Sequence, residues 1–77
     1  MANKKFDNPK DQQIHETLSL AYEALETKGY KPIAQLAGFI SSADGSYITF
    51  YNNARQSLEA LDNDEILEHL LRYYFEN

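Results

Sequence analysis

The 77 residues leave room for one domain, which buries roughly 60% of the surface its unfolded chain exposes, and the absence of cysteine removes disulfides and thiolate zinc sites as supports for so small a core. A net charge of −5 argues against a nucleic-acid surface, because affinity for DNA or RNA comes largely from Lys and Arg neutralising phosphates. No apolar run is long enough for a signal peptide or a membrane span, so a cytoplasmic location and self-association, as the remaining support for the core, are the expectations.

Residues 1–11 are polar, contain Pro9 and show no hydrophobic period, which predicts a flexible N-terminal arm. Residues 12–77 read as a single helical domain. Ile14, Leu18, Ala21, Tyr22 and Leu25 recur at helical spacing up to Gly29, predicting a helix over 12–28, since glycine tolerates the left-handed conformation that ends helices. Pro32 suits a first turn, and Ile33, Leu36, Ala37 and Ile40 form an apolar stripe that predicts a second helix over 32–41. Ser41 to Ser46 is dense in turn formers, and Tyr47-Ile48-Thr49-Phe50-Tyr51 is aromatic and β-branched, a composition that locally favours extended chain. With no second strand candidate, such a piece must dock as a loop or pair with its twin. A third helix is expected over 53–61, capped by Asn52, with Ala54, Leu58 and Leu61 on one side. Asp62 or Asn63 then caps a fourth. Its apolar face would be Ile66, Leu67, Leu70, Leu71 and Tyr74, with Asp64 and Glu65 at the positive pole and Arg72 near the negative one. The expected fold is therefore all-α, a small bundle of about four short helices around a turn-rich connection, homodimeric.

Catalytic chemistry finds little support. Glu65 and Glu68 lie near His69, but the helical di-metal pattern needs a His three residues after a Glu, and here the offsets are four and one. The acidic residues read as a solvated helix face. His15 and His69 read as surface or boundary residues, too distant in sequence to form a close-spaced ligand pair. Ser41, Ser42, Ser46 and Ser57 have no base motif beside them, and Gly29, Gly38 and Gly45 do not form a phosphate loop. No catalytic residue, cofactor or metal is expected. The segment from Ile33 to Leu58 admits an alternative, a helix-turn-helix DNA reader presenting Asn52, Asn53, Arg55 and Gln56 to base edges, but with one cation to hold phosphates. The aromatic residues Tyr47, Phe50, Tyr51, Tyr73 and Tyr74 are candidates for a dimer or partner interface, since such rings bury area while keeping a polar tip.

A longer set of residues in order, Lys28-Gly29-Tyr30-Lys31-Pro32-Ile33, Gln35-Leu36, Gly38-Phe39-Ile40, Ser46-Tyr47-Ile48-Thr49, Asn53-Ala54-Arg55 and Asp64-Glu65-Ile66-Leu67-Glu68 followed by Leu70-Leu71-Arg72-Tyr73-Tyr74, resembles the IreB family of small bacterial proteins over about residues 17–74. The resemblance implies a cytosolic helical homodimer. It also implies a regulatory substrate of a transmembrane Ser/Thr kinase and its phosphatase that restrains cell-envelope stress resistance, including cephalosporin resistance, through a downstream protein. Two departures stand out. The family's central Gly-Asp-Pro is here Ala43-Asp44-Gly45. The family's phosphorylated threonines lie in the N-terminal arm, whereas Met1 to Glu16 contains no Ser, Thr or Tyr, leaving Thr17 and Thr49 as candidates.

Overall fold

A computed structural model describes residues 8–76. Among them are four α-helices and no strand: α1 Pro9–Thr27, α2 Pro32–Ser42, α3 Ala54–Glu59 and α4 Asn63–Glu76, with short 3-10 turns at Gly45–Tyr47 and Tyr51–Asn53. Helix α1 starts three residues earlier than the sequence pattern predicts. Asn8 accepts a hydrogen bond from the Lys10 N–H at 2.8 Å, and Pro9 occupies the first turn, where its missing N–H costs nothing. The last three residues of the expected arm are thus helical and Asn8 caps them, while residues 1–7 of the arm lie outside the described residues. The helix ends as Gly29 predicts. With φ at 84°, Gly29 donates to the Glu26 carbonyl while Tyr30 donates to that of Leu25, the paired bonds of a Schellman termination.

Helix α2 ends on Ala43, which takes the left-handed conformation (φ 59°) and donates to the Phe39 carbonyl at 2.7 Å. Gly45, in the turn that follows, has no positive φ; a Cβ there would meet the carboxylate end of the exposed, flexible Glu59 side chain. One further donor reaches two carbonyls of this helix end from α4: the Asn63 Nδ2 donates to Phe39 O at 3.2 Å and to Ile40 O at 3.3 Å.

The extended piece expected over residues 47–51 does not form a strand. Ile48 is extended and fully buried, and short 3-10 turns lie on both sides of it at Gly45–Tyr47 and Tyr51–Asn53. Asn52 does not cap α3 through its side chain, as the sequence suggests. Asn52 and Asn53 are both left-handed, with φ near 57° and 59°, a conformation asparagine tolerates better than other side chains. They reverse the chain so that Ala54 and Leu58 enter the core. Asp62 does cap α4, accepting from the Asp64 N–H at 2.8 Å.

The core is built on α1. Its Ile14, Ala21, Ala24 and Leu25 are buried together with Phe39 of α2, Ile48, Ala54 and Leu58 of α3, and Ile66 of α4; Leu18, Leu36, Ile40 and Leu61 pack against this set. Each large buried side chain contributes roughly 1.5–3 kcal/mol, so the chain has little stability to lose. The double bond from Asn63 joins α4 to α2, and its removal in Asn63→Ala is expected to cost about 1 kcal/mol in urea denaturation. Asn63→Asp should be worse still, because a carboxylate would face two carbonyl oxygens, although an acid at a helix start normally stabilises. An Asn63→Asp variant as stable as the wild type would show that this link carries no energy.

Candidate functional site

Thirteen large apolar or aromatic side chains are exposed among the described residues, against six large ones that are fully buried. This imbalance is organised. Helix α1 presents His15, Leu18, Ser19 and Tyr22, helix α2 presents Ile33, Leu36, Ala37 and Ile40, and together with Leu67, Leu70 and Tyr73 of α4 they line an open groove of about 950 Å³. On both α1 and α2 the lining residues follow the i, i+3, i+4, i+7 rule of a continuous helix face. The stripe Ile33-Leu36-Ala37-Ile40, which marks the second helix in the sequence, is therefore a groove wall, with Leu36 and Ile40 also packed against the core. Ile33 is 69% exposed, and Phe39, off that stripe, is what α2 buries.

Helix α4 departs from expectation in the same sense. Of the face predicted from Ile66, Leu67, Leu70, Leu71 and Tyr74, only Ile66 is buried. Leu67 and Leu70 turn to the groove, Leu71 is half exposed, and Tyr74 is 78% exposed beside the ring of Phe75. The second buried residue of α4 is His69, at 3% exposure, where the sequence suggests a surface or boundary position. His15 and His69, distant in sequence, come within 6.2 Å between ring centroids, and Tyr73 lies 6.1 Å from His15 and 6.3 Å from His69.

Beneath this trio Asp11 ties the first turn of α1 to α4. Its carboxylate receives both the Nη2 of Arg72, at 2.6 Å, and its Nε, at 3.2 Å, while His69 Nδ1 stands 3.4 Å from the same carboxylate. A paired guanidinium fork of this kind is stronger than a neutral hydrogen bond. Lys10 and Glu65 add an exposed ion pair at 3.1 Å, of the sort that contributes little. The Arg72 hydrogen bonds hold the Asp11 carboxyl below its ordinary 3.8, against a smaller opposing effect of burial. Burial pushes His69 below its ordinary 6.5, partly offset by Asp11. Arg72 thus serves a cross-helix tie rather than the helix dipole.

The remaining interface candidates lie elsewhere. Tyr47 lays its ring against Gly38, where a Cβ would collide with it, and its carbonyl accepts from Gln35 at 2.8 Å. Phe50 lies under the Arg55 guanidinium at 3.7 Å, and Tyr51 under the Lys28 ammonium at 5.3 Å. The geometry also limits α3 as a reader of DNA bases, since it spans six residues and its Arg55 is held by the Ile48 carbonyl at 2.8 Å. Thr17 is partly buried on α1. Thr49, also partly buried, accepts from the Tyr51 N–H at 3.2 Å between the two 3-10 turns. No group of three or more His, Asp or Glu side chains placed to hold a metal exists among the described residues, and no described helix is long and apolar enough to cross a membrane. Burial of an apolar surface is what this groove offers.

The model of the IreB regulatory phosphoprotein family matches residues 2–76. The chain belongs to the IreB family. It is also similar to a UPF0297 protein of Ruminiclostridium cellulolyticum, 47% identical over 73 residues that cover 95% of this chain and 83% of the relative. In this IreB-family chain the groove is the feature that sequence reading missed. The available signal was the second apolar stripe of α1, Leu18 and Tyr22, running beside the stripe of Ile14, Ala21 and Leu25.

The Asp11 tie has a defined pH signature. Because its folded-state carboxyl titrates below the unfolded value, the stability it adds is present above about 3.8 and is lost as pH falls through the lowered folded value. Asp11→Asn is expected to lower the urea midpoint at pH 7. The gap from wild type should narrow as both proteins are titrated toward pH 3, and a gap that stays constant would assign the loss to something other than this carboxylate.

Proposed function

We propose that this chain is a non-enzymatic regulatory adaptor that works in the cytoplasm as a homodimer, with the groove between α1, α2 and α4 as the contact between copies. The groove is the observation that carries this reading. A small chain that buries six large side chains and leaves a continuous apolar wall on two helices gains more from a second copy than from water. Membership of a family described as regulatory phosphoproteins supports the regulatory role. By the same resemblance its upstream partners are a membrane Ser/Thr kinase and the matching phosphatase, and its output is restraint of envelope stress and cephalosporin resistance through a downstream protein.

Since Met1 to Glu16 carries no hydroxyl side chain, phosphorylation must fall further along the chain. Thr49 is the better of the two candidates. It lies outside the helices, whereas Thr17 sits within α1. A phosphate there adds about −1.5 to −2 charges close to Arg55, whose backbone N–H already binds the Thr49 carbonyl at 3.2 Å.

Ile33→Glu combined with Leu70→Glu alters two groove residues that are exposed in the single chain, so helicity should persist while self-association is lost in analytical ultracentrifugation. A wild-type protein that stays monomeric at micromolar concentrations would overturn the dimer reading. For the switch, incubation with the catalytic domain of the host's membrane Ser/Thr kinase and ATP, followed by mass-spectrometric mapping, should place phosphate on Thr49 and lose it in Thr49→Ala. Absence of phosphate throughout would remove the kinase-substrate role and leave the dimeric adaptor.

A further inference from the structure

We propose that the row Lys28, Tyr51, Phe50 and Arg55 docks an acidic segment of a protein partner, whose carboxylates meet the two cations while an apolar side chain lies on the rings. The inference rests on the reading of the chain as an adaptor that acts through another protein, and not on the dimer, since none of these residues lines the groove. The row is continuous. The Lys28 ammonium stands 5.3 Å from the centre of the Tyr51 ring and the Arg55 guanidinium 3.7 Å from that of Phe50, the two rings being neighbours in the chain. Phe50 is 71% exposed, although a phenyl ring gains nothing from water.

Charge selects the partner. The chain is acidic overall, yet Lys28 to Leu58 carries three cations and one carboxylate, a balance of +2, while the rest of the chain stands at −7. The three cations are Lys28, Lys31 and Arg55. None of them makes an ion pair among the described residues, whereas Lys10 and Arg72 both do. Asp44 and Glu59 come near Arg55 around Gly45, but Asp44 is engaged by the Ser46 N–H at 3.0 Å. Arg55 is also held ready. Its Nε donates to the Ile48 carbonyl at 2.8 Å, which fixes the guanidinium and leaves its Nη groups for a carboxylate, and a fork already fixed in place loses less freedom on binding.

The backbone points to the same place. Asn52 and Asn53, which follow the two rings directly, both adopt left-handed conformations, at φ 57° and 59°. Such backbone is costly for any residue with a side chain and concentrates where a fold presents something for use. Rings flanked by cations would also suit a single-stranded nucleic acid. Affinity for a phosphate backbone, however, needs many cations along its length, and three on a chain of net charge −5 match the few carboxylates of a short peptide instead.

The test is titration of the nitrogen-15-labelled full chain with a short synthetic peptide of Glu and Asp around Phe, following the backbone amide signals. The same peptide built on Gln and Asn, and an oligothymidylate, serve as the comparisons. Saturable shifts confined to the amides of Lys28 to Lys31 and Phe50 to Arg55, weakening with salt, are expected for the acidic peptide alone. Lys28→Gln should weaken binding about threefold, the scale of one exposed ion pair, and Phe50→Ser roughly fivefold or more, as for an aromatic anchor. Both positions are exposed, so these variants leave the Arg55 bond to Ile48 in place. Absence of binding, shifts in the groove instead, or equal binding of the uncharged peptide would overturn the inference and leave the adaptor reading to its own tests. Stronger binding of the oligothymidylate at these residues would overturn it in favour of a nucleic acid. A chain that binds the acidic peptide here yet stays monomeric and takes no phosphate would overturn the reading as a dimeric kinase substrate and leave this surface standing.

Discussion

The burial of one stripe of α1 is the constraint from which the rest of this structure follows. Ile14, Ala21, Ala24 and Leu25 are at most 1% exposed, and the two alanines, having only a methyl group each, let neighbouring backbone approach α1 closely. Ala54 and Leu58 bring α3 into the same core, and Phe39 and Ile66 bring α2 and α4. With that stripe committed to the core, the adjacent stripe of His15, Leu18, Ser19 and Tyr22 forms one wall of the groove, Leu18 also packing against the core. An amphipathic helix ordinarily carries one apolar face; α1 carries two, and the second lines the groove.

Polar ties hold the arrangement at its margins. The Asn63 amide closes the end of α2 against the start of α4, and the Asp11 carboxylate closes the start of α1 against Arg72 and His69. Both join segments far apart in sequence, as a disulfide would, in a chain that has no cysteine. They differ in what perturbs them. The amide bond is indifferent to pH, whereas the Asp11 tie depends on an ionised carboxylate, held below its ordinary 3.8 by the Arg72 hydrogen bonds.

The second distinctive surface, around Phe50 and Tyr51, is built on other principles. There two consecutive left-handed asparagines redirect the chain, and Arg55 and Lys28 lie over the exposed rings, a stabilisation worth about 0.5–1 kcal/mol at exposed sites. Thr49 sits beside this turn. The groove and the turn thus lie on separate parts of the chain, the one lined by α1, α2 and α4 and the other between α2 and α3.

Helix identity was largely determined by the sequence. Gly29, Pro32 and Asp62 punctuate the chain through conformational preferences that hold wherever they occur, and the apolar periods of α1, α2 and α4 announce helices for the same local reason. The family resemblance was legible too, in short motifs spread over most of the chain. Which apolar stripe meets which was decided only by the tertiary structure. Periodicity marks a face as apolar without saying whether the chain itself covers it, so the apolar face that Ile33 and Leu70 belong to opens on the groove rather than the core. Residues 47–51 favour extension locally, but an isolated strand has no ladder to satisfy its backbone, and the chain folded them into turns around Ile48. The meeting of His15 with His69, and of Asp11 with Arg72, depends on α1 and α4 lying side by side, a long-range consequence of burying Ile14 and Ile66 in one core that no local pattern encodes.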